Sequence, residues 1–268
     1  MQRGALYLTL VASLAGQAAA QPSSQPAIPA TWLVHDASDR CVATHEYKVD
    51  GQDWVVGVEP RPTSEETSLL LLAPVGASDL RQANVRVGGA PVASSRMSLD
   101  VNDPSGRHLY RVRLTTAELA LLASNGSVQI EDLGRTVNIP VANVGQVHRY
   151  LDSCVQTLLE NWGLPADKQA TVAAFPTIDR QPSDYVSSLE RNTVRIRPGM
   201  NADATVVVQV QSNGAANDCV VIHSTGDAAV DARTCKIFVE RARYRPARDR
   251  AGQPIRAPLL ASLAWGRP

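Results

Sequence analysis

Residues 205–211 read Thr-Val-Val-Val-Gln-Val-Gln; the turn Ser212-Asn213-Gly214 follows, and then a second run, Cys219-Val220-Val221-Ile222-His223-Ser224. Val206, Val208 and Val210 fall on one face of an extended chain, with Thr205, Val207 and Gln209 on the other. Side chains alternate with a period of two along a strand, so two such runs around a polar Gly turn predict a β-hairpin. Ser224-Thr225-Gly226-Asp227 breaks the second strand, and Cys235, Phe238, Val239 and Ala242 then recur at helical spacing. A helix is expected over Ala228 to Arg243, with Asp227 as N-cap and Pro246 as the stop. Ile255, Ala257, Leu259, Ala261, Leu263 and Trp265 alternate as a last strand. The order β-β-α-β within about 85 residues predicts a small three-stranded antiparallel sheet with one helix across it. Such a sheet has edge strands, and an open edge can template an incoming strand.

Upstream, a second β-rich region is expected. Trp32 to His35, Trp54 to Val58, Ser68 to Leu72, Asn84 to Val87 and His108 to Leu114 are short apolar or β-branched runs between Gly, Pro, Asp and Ser clusters. Thr115-Thr116-Ala117-Glu118 has the capping-box pattern of a helix start, and Asn125-Gly126 that of its end. Val147, Leu151, Cys154, Val155, Leu158 and Trp162 draw one apolar stripe down a second helix that stops at Gly163 before Pro165. Residues 164–183 carry Pro165, Pro176 and Pro182 with no sustained period and read as a linker. The fold class is therefore α+β, with a mostly antiparallel β domain over 30–163 and the small module over 184–268.

Before these lies a stretch of another kind. Arg3 is the only charge in residues 1–20, Ala5 to Ala15 is largely apolar, and Ala18-Ala19-Ala20 supplies the small residues of a cleavage site. This is the pattern of a secretory signal peptide, followed by a Gln/Ser/Pro-rich segment, Gln21 to Pro29, expected to be disordered. The rival reading, an inner-membrane anchor facing the periplasm, meets an apolar stretch shorter than the roughly 20 residues that span a bilayer. All four cysteines, Cys41, Cys154, Cys219 and Cys235, follow the leader. In an oxidising compartment an even count suggests two disulfides; of three possible connectivities, spacing favours Cys41 with Cys154 and Cys219 with Cys235.

The segment from Asp184-Tyr185 through the hairpin, Ser224-Thr225-Gly226, Asp231, Arg241-Ala242-Arg243-Tyr244-Arg245-Pro246-Ala247 and Gly252-Gln253-Pro254 resembles the C-terminal domain of TonB-family proteins. The likeness covers about residues 184–268, and the cysteine pair resembles a subset of such domains. It departs at Tyr185-Val186, where many members have Tyr-Pro, and in lacking an extended Pro-rich spacer. The resemblance implies a periplasmic module that grips the N-terminal segment of an outer-membrane receptor by strand addition, in TonB-dependent transport. It places the partner on the last strand, Ala257, Leu259, Ala261, Leu263 and Trp265, with rim contacts from Arg243, Tyr244 and Arg245. The bland alternative for Tyr244, Pro246 and Ala247 is that they turn the chain and fill the core. Trp32-Leu33-Val34, Asp39-Arg40-Cys41 and the helix bearing Cys154 are similar, less specifically, to invasion-associated locus B-like envelope proteins. The alternative function is an envelope stress, host-interaction or assembly protein in which the module is purely structural.

No catalytic constellation is legible. There is no nucleophile elbow, P-loop, dinucleotide fingerprint or zinc-protease helix, and His35, His45, His108, His148 and His223 are scattered. Cys41 and His45 lie i and i+4 apart, a spacing open to a thiolate–base reading, but a disulfide is the stronger one. Glu65-Glu66 and Glu131-Asp132 read as solvated charge. Arg241, Arg243, Arg245, Arg248 and Arg250 read either as a solvated helix end or as a surface for an acidic segment or lipid headgroup. No enzyme activity, metal or cofactor is expected; the partner is a protein, with membrane association only through that partner or an uncleaved leader. Lys and Arg total 26 against 26 Asp and Glu, with only 4 Trp, 6 Tyr and 2 Phe, which disfavours a nucleic-acid binder. The balance hides two signs: residues 21–184 are net −6 and residues 185–268 net +5.

Overall fold

The computed structural model describes residues 29–75, 80–93, 98–102, 107–195, 197 and 199–265. The expected leader and residues 21–28 lie outside these. The chain is α+β. Its first part runs β1 (Leu33–Asp36), β2 (Cys41–Val49), β3 (Gln52–Pro60), β4 (Thr67–Leu72), β5 (Asn84–Val87), β6 (Ala90–Pro91), β7 (Ser98–Asn102) and β8 (His108–Leu114). It continues through α1 (Thr116–Asn125), β9 (Ser127–Asp132), β10 (Arg135–Pro140) and α2 (Val144–Asn161). Two antiparallel sheets result, one in the order β1-β2-β3-β4-β8-β7 and one in the order β10-β9-β5-β6.

Local chemistry accounts for these elements. The turns between β2 and β3, β5 and β6, and β9 and β10 are two-residue turns with both central φ angles positive: Asp50-Gly51 at 50° and 77°, Gly88-Gly89 at 56° and 87°, Leu133-Gly134 at 45° and 79°. Such turns match the right-handed twist of the flanking strands, and Asp-Gly and Gly-Gly are natural occupants. Leu133 is not, because a left-handed backbone crowds its Cβ, and its side chain is 92% exposed and gains nothing from packing. Leu133→Asn is therefore expected to raise stability by about 1 kcal/mol, read as a higher urea midpoint at unchanged slope. The capping box at α1 is complete: Thr115 Oγ1 accepts from the Glu118 N–H, and the Glu118 carboxylate accepts from the Thr115 N–H at 2.8 Å. Gly126, at φ 59°, closes the helix.

Strands β2, β6, β7, β9 and β10 go beyond the runs singled out from the sequence. In β9 and β10 the apolar signal is thin, because Val128, Ile130 and Ile139 alternate with Gln129, Glu131 and Asn138. The core draws Val56, Leu69, Leu71, Tyr110 and Val112 from the larger sheet, Val85, Val87, Val128 and Ile130 from the smaller, and Val147, Leu151 and Leu158 from α2. Cys154 on α2 is bonded to Cys41 at the start of β2.

The second part comprises α3 (Ala166–Gln169), β11 (Val172–Ala174), β12 (Thr177–Ile178), α4 (Ser188–Thr193), β13 (Asp203–Val210), β14 (Ala216–His223) and α5 (Ala228–Glu240). Short strands β15 (Tyr244–Arg245), β16 (Ala247–Asp249) and β17 (Pro254–Ile255) lead to β18 (Ala257–Ala264). β13 is central, flanked antiparallel by β14 and β18. Asp227 caps α5, its carboxylate accepting from the Ala229 and Val230 N–H groups. Cys219 on β14 is bonded to Cys235 on α5. The helix ends at Glu240, earlier than the expected Arg243, because Tyr244-Arg245 leaves to pair with β12, and a residue before proline favours extended backbone.

One expectation needs correction. Residues 164–183 are not a bare tether: Leu164 is buried, β11 pairs with β16 and β12 with β15. Strands of two or three residues leave no periodic pattern, so the sequence conceals them. The three-stranded sheet also has both faces covered. Val206, Val208, Ala261, Leu263 and Trp265 pack under α5, while Val207 belongs to the core of the first part and Ile222 and Leu260 pack against it.

Candidate partner-binding edges

A terminal strand offers a partner two things, its outward main chain and its side chains, and β18 offers little of either. Ala257, Leu259, Ala261, Leu263 and Trp265 are all buried, so none of the five expected contact side chains is available to a partner. The Trp265 N–H bonds Ala202 O, whereas the Leu260 N–H points the other way, to Thr63 Oγ1 at 3.3 Å. By alternation, Pro258, Leu260, Ser262 and Ala264 face the outer edge. Pro258 has no N–H to give, and that of Leu260 is taken by the loop between β3 and β4. Among the described residues, the outward main-chain groups of Ser262 and Ala264 are left without partners, and both residues are exposed.

The expected rim residues sit at the opposite end of the strand. The Tyr244 carbonyl lies against Gly214, where a Cβ would come within 2.8 Å of it, so β15 packs on the turn between β13 and β14. That turn is where Val210 faces Ala257, not where Ala264 ends. Tyr244 donates to Phe238 O at 2.7 Å, and burial, reinforced by Tyr185, pushes its hydroxyl far above the ordinary phenol range. Arg243 Nη1 donates to the Ala242 carbonyl at 3.1 Å, closing the end of α5. Arg241 bonds Glu190 at 2.8 Å and Arg248 donates to Gly252 O at 2.6 Å, so the basic run is largely tied to its own module.

Glu190 completes a capping box on Ser187 at α4 and also meets Arg233 at 3.4 Å. The Ser187 N–H, then the Arg241 guanidinium and the Ser187 hydroxyl, hold its carboxyl down at about 2 against an ordinary 4.5. A depressed folded value contributes stability above the unfolded range, and that contribution is lost as pH falls from about 4.5 through about 2. The Glu190 side-chain carbon resonance is expected to titrate near 2, and a midpoint near 4.5 would mean the box is open in solution.

Ser224-Thr225-Gly226 and Asp231 come together as a loop anchor. Buried Asp231 accepts from the Thr225 N–H at 2.9 Å, the Thr225 hydroxyl at 2.8 Å and the Ser224 hydroxyl. Burial by itself raises this carboxyl, and those bonds more than reverse it, leaving it below the ordinary range. With three of its roughly four acceptor sites engaged by its own loop, this carboxylate holds structure.

The other edge is more open. Strand β14 pairs only with β13, through Val220 with Val207 and Asp218 with Gln209, while register shifts bound the paired stretch at both ends. Alternation turns the N–H and C=O groups of Cys219 and Val221 outward. Val220 is 56% exposed; the first part of the chain reaches this strand at Ile222, whose side chain packs on the first core and whose carbonyl accepts from Ser38 Oγ at 3.3 Å. Behind β14 lies a cavity of about 240 Å³ lined by Trp162, Gly163, Val207, Gln209, Asp218, Val220, Ile222 and Arg256 among others. Gln209 is 7% exposed; its Nε2 donates to Trp162 O, and its Oε1 has no hydrogen-bond partner among the described residues. Sequence reasoning missed this site, although Gln209, polar beside Val207 on one face of β13, was the available signal.

Among the described residues no three His, Cys, Asp or Glu side chains gather where they could hold a metal ion. No helix among them is long and apolar enough to cross a membrane. No family model, curated protein or solved structure matches the chain.

Proposed function

We propose that this chain is a TonB-like binding protein of the cell envelope, exported to the periplasm, whose C-terminal module takes an extended segment of a protein partner by β-strand addition. The partner in this reading is the N-terminal segment of an outer-membrane receptor. The observation that carries it is a three-stranded sheet whose terminal strands keep outward main-chain groups without hydrogen-bond partners among the described residues, at Cys219 and Val221 on one edge and Ser262 and Ala264 on the other. Such groups bind an added strand through main-chain hydrogen bonds, and neighbouring side chains supply selectivity. Two disulfides fit an oxidising compartment.

The test is titration of the isotopically labelled full chain with a capped peptide from the N-terminus of a TonB-dependent receptor. Backbone amides of β14 or β18 are expected to shift, and no shift at millimolar peptide would remove the receptor from the reading.

A second reading has its own support, the clasp of Thr63 on Leu260 and the burial of Val207 against the first part. In it the module is structural, and the envelope role belongs to the β-rich region. Val221→Pro combined with Ser262→Pro removes an outward N–H from each edge and spares the inner ladder. A strain complemented fully by that double variant would favour the structural reading.

A further inference from the structure

We propose that the cleft between the segment leaving α4 and the first turns of α5 is a binding site for a phosphate monoester. The site goes beyond the strand-addition reading and needs neither sheet edge. The cleft has a volume of about 670 Å³, within the range of small-molecule sites, and Arg195, Arg197 and Arg233 line it. Asp227 is the one acidic side chain among the described lining residues. Counting the partners drawn in from outside leaves the same excess, because Arg233 shares Glu190 with Arg241, setting four guanidiniums against two carboxylates. Like charges gathered on one cleft repel each other until an anion joins them. The apolar side chains of Val194 and Val230 on the same walls reduce solvent screening and strengthen that attraction.

What the arginines offer decides the ligand. Arg233 is fixed: Nη1 donates to Thr193 Oγ1 at 3.0 Å, Nη2 meets Glu190 at 3.4 Å, and the guanidinium lies 5.4 Å from the Trp265 ring centroid. Those bonds use two of the five N–H donors an arginine carries. Arg197 Nη2 donates to Asp227 Oδ2 at 3.3 Å, and its main chain is held by bonds from the Arg197 N–H to Met200 Sδ and from the Met200 N–H to Arg197 O. Arg195 is exposed and without a partner among the described residues. The helix end is not the site, because the Asp227 carboxylate already accepts from the Ala229 and Val230 N–H groups. Three guanidiniums with a net excess of two charges match a group that has three acceptor oxygens and close to two negative charges on one centre, which describes a phosphate monoester. A carboxylate offers two oxygens and one charge, and a phosphodiester one charge. The rest of the cleft leaves room for a small organic body against Val194 and Val230.

The probe is glycerol 3-phosphate, titrated into the isotopically labelled full chain. A second arm uses vesicles containing phosphatidate, a lipid that carries the same monoester at a membrane surface. The amides of Ala229 and Val230 and the Arg233 Nε–H are expected to shift and saturate. Arg195→Gln combined with Arg197→Gln, both at exposed positions, is expected to weaken binding at least about tenfold, the worth of one hydrogen bond to a charged group. Binding of the soluble ester alone supports the site with a free ester as ligand, and vesicle binding that the double variant loses supports it with a lipid headgroup. Acetate and malonate are expected to bind about tenfold more weakly than the ester. Equal affinity for malonate would overturn the phosphate assignment, and equal affinity for acetate the requirement for two charges. Unchanged affinity in the double variant, or silence toward both the ester and the vesicles at millimolar phosphate, would overturn the site. None of these outcomes touches strand addition, which the receptor peptide tests separately.

Discussion

Replacing Cys41 and Cys154 together by alanine is expected to lower the unfolding free energy by about 4 to 5 kcal/mol, the largest loss available from a single cross-link in this chain. The bond closes a loop with a sequence separation of 113, and on the chain-entropy account a long loop restricts the unfolded chain most. By the same account the Cys219–Cys235 bond, with a separation of 16, contributes about 3 kcal/mol. Alanine is the proper replacement because Cys41 is fully buried, and a serine hydroxyl there would add a desolvation cost of its own. The measurement is urea unfolding followed by fluorescence, with Trp32, Trp54 and Trp162 reporting on the first core and Trp265 on the second. Because Val207, Ile222 and Leu260 join the sheet of the second part to the first core, both sets of signals are expected to move. A loss under about 1 kcal/mol would show that the reduced unfolded chain is already restrained near these residues.

Trp265→Ala is expected to cost about 3 to 5 kcal/mol, the range for removing a large buried aromatic side chain. Trp265 is 2% exposed, packs with Phe238 and Leu263 under α5, and donates its Nε1–H to Thr234 Oγ1 at 2.8 Å. The Thr234 hydroxyl in turn donates to Val230 O at 2.9 Å, so the indole ties the end of β18 to the middle of the helix. Trp265→Phe keeps most of the volume and loses the bond, for an expected cost of about 1 to 2 kcal/mol. Circular dichroism reads both variants without relying on the residue removed. If alanine and phenylalanine cost the same, the hydrogen bond dominates and the packing account is wrong. The experiment also bears on function, because a residue expected to touch a partner proves to be core.

Much of the fold was legible in short stretches. The Thr115–Glu118 capping box, the Asp227 cap, the stripe through Val147, Leu151 and Cys154 and the alternation of β13 and β18 all stand in the structure where the sequence placed them. So do both disulfides. What was not legible has a common cause. Strands β11, β12, β15 and β17 are two or three residues long and carry no period, and β9 and β10 hide a regular apolar face behind charge.

The candidate site divides the same way. Alternation along the last strand identified a terminal strand, but one periodicity describes a side chain facing a core and a side chain facing a partner alike. The sequence by itself determined the longer, strongly patterned elements and the opposite charges of the two parts and favoured the cysteine pairs found, because each depends on near neighbours or on simple spacing. Only the tertiary structure decided which edge stays open. Thr63 reaches Leu260 across 197 residues, Ser38 reaches Ile222 across 184, and Trp162 takes the amide of Gln209 across 47. Contacts of that range form when two separately patterned surfaces meet, and no pattern within either surface records where the other comes to rest.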